Sequence, residues 1–114
     1  MRLCLMAVLA LFAFGIPAPA GAQDAKLVQQ GEKVYAEQKC SMCHSIAGKG
    51  NQKGPLDDVG SRLSEEDIRQ WLISPRVMTE KSKSTRKPLM PAYTKLSADQ
   101  LNALVAYMRS LQKK

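Results

Sequence analysis

A pair of cysteines followed at once by a histidine constrains this chain more than any other feature. Residues 40–44 read CSMCH. Two thiols at this spacing can add across the two vinyl groups of one porphyrin, and the next residue then falls beneath the iron. His44, neutral at pH 7, offers an imidazole nitrogen as the first axial ligand. The spacing therefore predicts a single haem held by thioether bonds to Cys40 and Cys43.

Two other uses of such a cysteine pair fit the sequence less well. A thioredoxin-like redox pair would need a βαβ context, and no alternating apolar and polar run typical of a strand is present. A zinc site would need a second pair of cysteines or histidines. His44 is the only histidine, and the third cysteine, Cys4, lies in an N-terminal segment that is expected to be removed.

The N-terminus has the pattern of a secretory signal peptide. Arg2 is followed by an uncharged apolar run at residues 3–16, and the small residues 20–22 (AGA) fit the cleavage rule. The run has 14 residues, and a membrane-spanning helix needs about 20. We therefore expect residues 1–22 to be cleaved and residues 23–114 to form one domain in the periplasm.

The small size of the exported domain limits its core, and its positive charge limits the kinds of partner it can bind. Removal of residues 1–22 would leave 92 residues, with one positive charge fewer than the +7 of the whole chain. A domain of this size has a small core, which a covalently held porphyrin would enlarge. We therefore expect the chain without haem to be poorly folded. The charge suggests an acidic partner protein, and export argues against nucleic acid.

Apolar and small residues at helical spacing predict three helices, at about residues 25–38, 64–73 and 97–112. Ser64 and Ser97 are expected to cap the second and third helices, each with an acidic or amide side chain three residues later. Residues 45–54 read as a loop rich in glycine and lysine, and residues 76–95 read as irregular.

Methionine is the expected second axial ligand, because the mature chain has no second histidine. Met108 falls on the apolar face of the last helix and reads as core. Met78 and Met90 both fall in the segment predicted to be irregular. Met90 is preferred because Pro91 stiffens the chain beside it, and Met78 is the alternative. A histidine and methionine pair raises the reduction potential and closes both axial positions.

Three further residues are candidates for the haem surroundings. The Pro55 carbonyl could accept the second ring N–H of His44 and fix the imidazole. The Trp71 indole N–H and the Arg62 guanidinium could each bind a haem propionate. A basic run precedes Met90 and could ring the exposed haem edge, or could simply be a solvated loop. This run consists of Lys81, Lys83, Arg86 and Lys87.

The sequence resembles the class I c-type cytochromes, small soluble proteins of the bacterial type. The resemblance covers residues 24–112, and the residues outside the CSMCH motif that carry it are Gly31, Tyr35, residues 54–56 (GPL), Met90, Pro91, Leu104 and Tyr107. It implies an all-α fold in which the N- and C-terminal helices cross at Gly31, with aromatic contacts on either side. It also implies His44 and Met90 as axial ligands of one covalent haem c, with the Pro55 carbonyl bound to the histidine.

The resemblance implies a single-electron carrier, not an enzyme. We expect a monomer that docks on redox partner proteins with acidic surfaces and meets a membrane only through them. One alternative is an electron-accepting cytochrome subunit of a periplasmic oxidoreductase complex. Another is a ligand-binding or peroxidatic haem protein in which Met90 dissociates easily.

Overall fold

The fold is all-α, as the sequence predicts, and its helices surround a cavity that opens to solvent. The computed structural model describes residues 15–16 and 20–114. Most of the expected signal peptide, residues 1–22, lies outside the described residues and stays a prediction. Five α-helices occur in the described part: α1 (Ala20–Glu37), α2 (Val59–Arg62), α3 (Glu65–Ile73), α4 (Pro75–Ser82) and α5 (Ala98–Ser110). None of these described helices is both long and apolar enough to cross a membrane.

The predicted caps start α3 and α5 where the sequence places them. The Ser64 hydroxyl accepts the Asp67 backbone N–H at 3.1 Å. At α5 the capping box is complete, because Ser97 Oγ accepts the Gln100 N–H at 3.1 Å and the Gln100 side chain accepts the Ser97 N–H at 3.0 Å. The helix ends at Ser110, two residues before the predicted end, since Leu111 leaves helical geometry with φ −80° and ψ 84°. Helix α1 begins earlier than predicted.

The prediction that residues 76–95 are irregular is wrong in its first part. Ser74 and Pro75 end α3 but also start α4, because proline at the first helical position needs no N–H partner. The helix ends at Ser82, and Lys83 after it adopts a left-handed conformation with φ 55°. Met78 therefore lies on a helix, where its side chain is only 6% exposed.

The loop predicted over residues 45–54 contains a small hairpin. Strands β1 (Ser45–Ile46) and β2 (Lys49–Gly50) pair antiparallel, with Ser45 opposite Gly50. The two residues between them, Ala47 and Gly48, have φ values of 50° and 76°. Positive φ at both central positions is the requirement of a two-residue hairpin turn, and glycine meets it at the second one without a steric cost.

The crossing of α1 and α5, which the resemblance implies, supplies much of the core. A Cβ on Gly31 would fall 2.6 Å from the carbonyl carbon of Ala103 and from Tyr107 Cβ, so the helices approach too closely for any side chain there. Beside the crossing, the Tyr35 and Tyr107 rings meet edge to face at 5.7 Å and 80°. The buried core consists of Val34, Val59, Ile68, Leu72, Leu104, Val105 and Met108.

Candidate haem-binding site

A cavity of about 660 Å³ lies beside this core and collects the residues that the motif singled out. Its lining is mostly apolar, as expected of a cofactor site. The two cysteines and the histidine of residues 40–44 line it, and so does Met90 from the irregular segment before α5. The structure therefore brings together, around one space, the groups that sequence reasoning assigned to the haem.

A tight turn after α1 presents the two thiols and the imidazole. Lys39 turns the chain with φ 56°, and a single 3₁₀ turn follows at Cys40–Met42. The Cys40 carbonyl accepts the N–H groups of Cys43 at 3.1 Å and His44 at 2.9 Å. Both described cysteines carry free thiols and are half-buried. Burial raises the pKa of the Cys40 thiol to about 11, so the thiol is neutral before it forms a thioether.

A backbone carbonyl fixes the His44 ring, but it is not the expected one. His44 Nδ1 lies 3.1 Å from the Gly54 carbonyl oxygen, which also accepts the Ser45 N–H at 3.0 Å. Pairing of Ser45 with Gly54 brings that carbonyl beside the imidazole, so in this structure the acceptor is Gly54 and not Pro55. Pro55 still lines the cavity. With Nδ1 donating to a carbonyl, Nε2 keeps the lone pair needed for a metal.

Of the two methionines left open by the sequence, only Met90 lines the cavity. Met78 is buried on α4 and is absent from the cavity wall. Met108 also reaches the wall, from α5, but it packs in the core as predicted. Downstream of Met90, the Tyr93 N–H donates to the Leu72 carbonyl at 2.8 Å and ties this segment to α3.

The two candidate propionate partners both line the cavity. Trp71 does so from α3, where it is half-buried. Arg62 is exposed, and its Nε lies 2.7 Å from Oδ1 of Asp58, four residues earlier, in an ion pair. The charge of Arg62 is therefore already partly compensated, and its role at a propionate stays a prediction.

Tyr35 adds a feature that sequence reasoning missed. Tyr35 lines the cavity, and its hydroxyl is buried with no hydrogen-bond partner among the described residues. Burial raises the Tyr35 pKa to about 12. Buried polar groups in native proteins are nearly always satisfied, so an orphan hydroxyl at this wall fits a cavity that receives a bound group. The sequence offered only the aromatic contact at the helix crossing as a reason for Tyr35.

Arg86 is the second residue whose place sequence reasoning missed. The pattern of the basic run before Met90 predicts an exposed segment as a whole. Instead the Arg86 guanidinium donates to the Cys43 carbonyl and lines the cavity, half-buried. No periodicity or motif marks this position, because the contact joins residues that are 43 positions apart in the chain.

Comparisons with known proteins identify the family of the chain. A family model described as cytochrome c matches residues 28–112. Cytochrome c oxidase subunit 2 of Alkalihalophilus pseudofirmus is 30% identical over 95 residues, which is 75% of this chain and 26% of that protein. Cytochrome c oxidase subunit 2 of Bacillus subtilis is 26% identical over 103 residues, covering 78% of this chain and 28% of that protein. No solved structure matches the chain at a significant level.

The chain spans only about a quarter of the length of the curated relatives it matches. The family model, in contrast, covers most of the chain, from before the CSMCH motif to the end of α5. The protein therefore belongs to the cytochrome c family, whose covalently attached haem c serves electron transfer.

Proposed function

We propose that the protein is an exported, monomeric single-electron carrier whose haem iron is bound axially by His44 and Met90. The observation that carries this proposal is the shared cavity, which has Cys40, Cys43 and His44 in its wall together with Met90. When bound, haem supplies the one-electron Fe(II)/Fe(III) couple. Export is supported by the predicted signal peptide at residues 1–22 and by the family.

The attachment segment supplies the fixed side of the site. Cys40 and Cys43 would hold the porphyrin through thioethers, since they project from one turn at the required spacing. The Gly54 carbonyl, 3.1 Å from His44 Nδ1, holds the ring in one orientation and tautomer. Burial lowers the pKa of His44 and keeps the imidazole neutral, the form that binds a metal.

Met90 would supply the second axial ligand. A soft thioether favours ferrous iron, so Met90 would raise the reduction potential. If His44 and Met90 both bind the iron, they would leave no exchangeable site for a substrate or gas. That arrangement suits electron transfer and disfavours catalysis at the metal, which supports a carrier and not an enzyme.

The test of this ligation is Met90→Ala, with Met78→Ala as the matched control. Loss of the thioether is expected to make the ferric protein high-spin and the ferrous protein reactive with carbon monoxide. The reduction potential should fall by more than about 100 mV, within the ~0.8 V over which axial ligands set it. Optical spectra and potentiometry of protein matured in the periplasm measure all three.

Met78→Ala should keep the wild-type spectrum, because Met78 packs on α4 away from the cavity. A wild-type protein that already binds carbon monoxide would contradict the proposal in favour of a ligand-binding or peroxidatic protein. An unchanged spectrum in Met90→Ala would contradict the assignment of Met90.

A mixed basic and apolar surface beside the attachment segment supports docking of an acidic partner. A shallow cavity of about 410 Å³ is lined by Lys53 and Lys87, here called the basic rim, together with Met42 and Pro88. Met42 is 70% exposed, although it lies within the attachment motif. Arg86 also lines this cavity while its guanidinium donates to the Cys43 carbonyl, and the exposed Lys81 lies 3.5 Å from Asp67.

Electron exchange with an acidic partner is expected to slow as salt rises, because screening weakens steering by exposed charges. Replacing the basic rim, with Lys53→Gln and Lys87→Gln together, should lower the second-order rate at low salt about tenfold. The control of equal charge is Lys26→Gln with Lys33→Gln on α1, which should change the rate little. Stopped-flow kinetics over a salt series measure the effect, and a flat response would overturn the docking proposal.

A second candidate is an electron-accepting cytochrome subunit of a periplasmic oxidoreductase complex. The observation that favours it is the similarity to two proteins named cytochrome c oxidase subunit 2. The two functions differ in whether the protein is free or stably bound to a catalytic chain. Gel filtration of a native extract, followed by haem absorbance, gives a small species for a free carrier and co-migration with a catalytic chain for a subunit.

A further inference from the structure

Arg86 connects two parts of the chain that lie far apart in sequence. Its Nη2 donates to the Cys43 carbonyl, within the attachment motif. Its guanidinium also lies over Gly54, because a Cβ at Gly54 would fall 2.6 Å from Arg86 Cζ. Glycine at this position leaves the space that the guanidinium fills, and Gly54 itself is buried.

Both partners of Arg86 belong to the fixed side of the haem site. Cys43 is one of the two thioether residues, and the Gly54 carbonyl holds His44 Nδ1 at 3.1 Å. Arg86 itself belongs to the irregular segment that reaches Met90 four residues later. One half-buried side chain therefore joins the segment of the second axial ligand to the segment of the first.

From this geometry we propose that Arg86 is a positioning residue that fastens the Met90 segment to the attachment segment and so keeps Met90 on the iron. The inference rests on the proposed function, since it assumes ligation by Met90. A hydrogen bond from a guanidinium is charge-assisted and stronger than a neutral one. Its planar fork lets one nitrogen bond Cys43 while the rest of the group packs on Gly54, which a lysine ammonium cannot do.

Other hydrogen bonds also hold the Met90 segment, but they do not join it to the CSMCH motif. The Tyr93 N–H ties the chain to α3 after Met90. Before Met90, the Arg86 backbone N–H meets only the nearby Ser84 hydroxyl, at 3.4 Å. Among the described residues, the Arg86 side chain thus provides the hydrogen bond that links the segment before Met90 to the CSMCH motif. Loss of this bond should favour opening of the segment, with Met90 released.

Imidazole added to the ferric holoprotein measures this opening, because an external ligand binds only when Met90 leaves. Arg86→Gln is expected to raise the apparent affinity for imidazole about tenfold, the effect of losing one hydrogen bond to a charged group. Arg86→Lys keeps the charge but loses the fork, and it should raise the affinity nearly as much. The near-infrared band of the iron–thioether bond should weaken in parallel.

Two controls separate fastening from charge and from general stability. Lys95→Gln removes an exposed charge five residues after Met90, and Arg109→Gln removes an ion pair with Glu65 (2.7 Å) that lies among the helices. Both should stay within twofold of wild type. Arg86→Lys preserves the charge and much of the volume, so it serves as the deciding variant if Arg86→Gln fails to mature.

Three results would overturn the inference. Arg86→Gln with wild-type imidazole affinity would show that the contact does not hold the segment. Arg86→Lys indistinguishable from wild type, beside an affected Arg86→Gln, would assign the effect to charge. Equal effects in Arg109→Gln would assign it to global stability. Failure of the underlying ligation looks different, since wild type and Met90→Ala would then bind imidazole equally well.

Discussion

Replacing Cys40 and Cys43 together with alanine is expected to abolish cooperative folding of this protein. The haem-binding cavity measures about 660 Å³, against a buried core of seven side chains. Without haem, the apolar wall of this cavity would face water in place of the porphyrin. A domain of this size has a small core, and a typical domain is stable by only about 5–15 kcal/mol, so little stability remains to offset that exposure.

Far-UV circular dichroism with urea denaturation measures this effect. The wild-type holoprotein should unfold in one sharp transition, whereas the double variant should have reduced helicity and a broad, non-cooperative response. Cys4→Ala is the matched control, since Cys4 precedes the predicted cleavage site and should leave haem attachment intact. A double variant with wild-type helicity and a sharp transition would show that the helices pack without the haem.

Gly31→Ala is expected to destabilise the protein by about 2 kcal/mol, even though alanine is the better helix former. The new Cβ would lie 2.6 Å from the Ala103 carbonyl carbon and from Tyr107 Cβ, and a helix backbone cannot yield cheaply. Overpacking of this kind costs up to about 3 kcal/mol. The gain in helix propensity offsets about 1 kcal/mol of it.

The control for this variant is Gln30→Ala, one residue earlier on α1 and exposed. Its free energy of unfolding should change by less than about 0.5 kcal/mol, as for most surface positions. Denaturant midpoints of the two variants, measured in the same redox state, make the comparison. A Gly31→Ala protein as stable as wild type would mean that α1 and α5 can separate without loss.

Local chemistry made much of this molecule predictable from sequence. The CSMCH motif carries its own spacing, so the covalent haem c and the family follow from the amino-acid sequence alone. The caps at Ser64 and Ser97 act within three residues, and both appear as predicted. The crossing at Gly31 was implied by the resemblance to the class I c-type cytochromes, whereas the glycine alone left plain tolerance open.

Contacts between distant segments account for what the sequence did not reveal. Helix α4 was missed for a local reason instead. Ser74 and Pro75 can end one helix or start another, and the local sequence does not show that they do both. The carbonyl that accepts from the His44 ring belongs to Gly54 and not to the predicted Pro55. Only the pairing of Ser45 with Gly54 decides which oxygen faces the ring. The Arg86 contact spans 43 positions, a distance over which no local pattern carries information.

The crossing of α1 and α5 also fixes when the chain can fold. Leu104 and Val105, among the most deeply buried side chains, lie on α5, which follows every other described element in the chain. A nascent chain therefore lacks the main packing partner of α1 until α5 has been made. If the protein is exported as we propose, this late closure keeps the translocating polypeptide loose. Folding then begins only in the compartment where the porphyrin is attached.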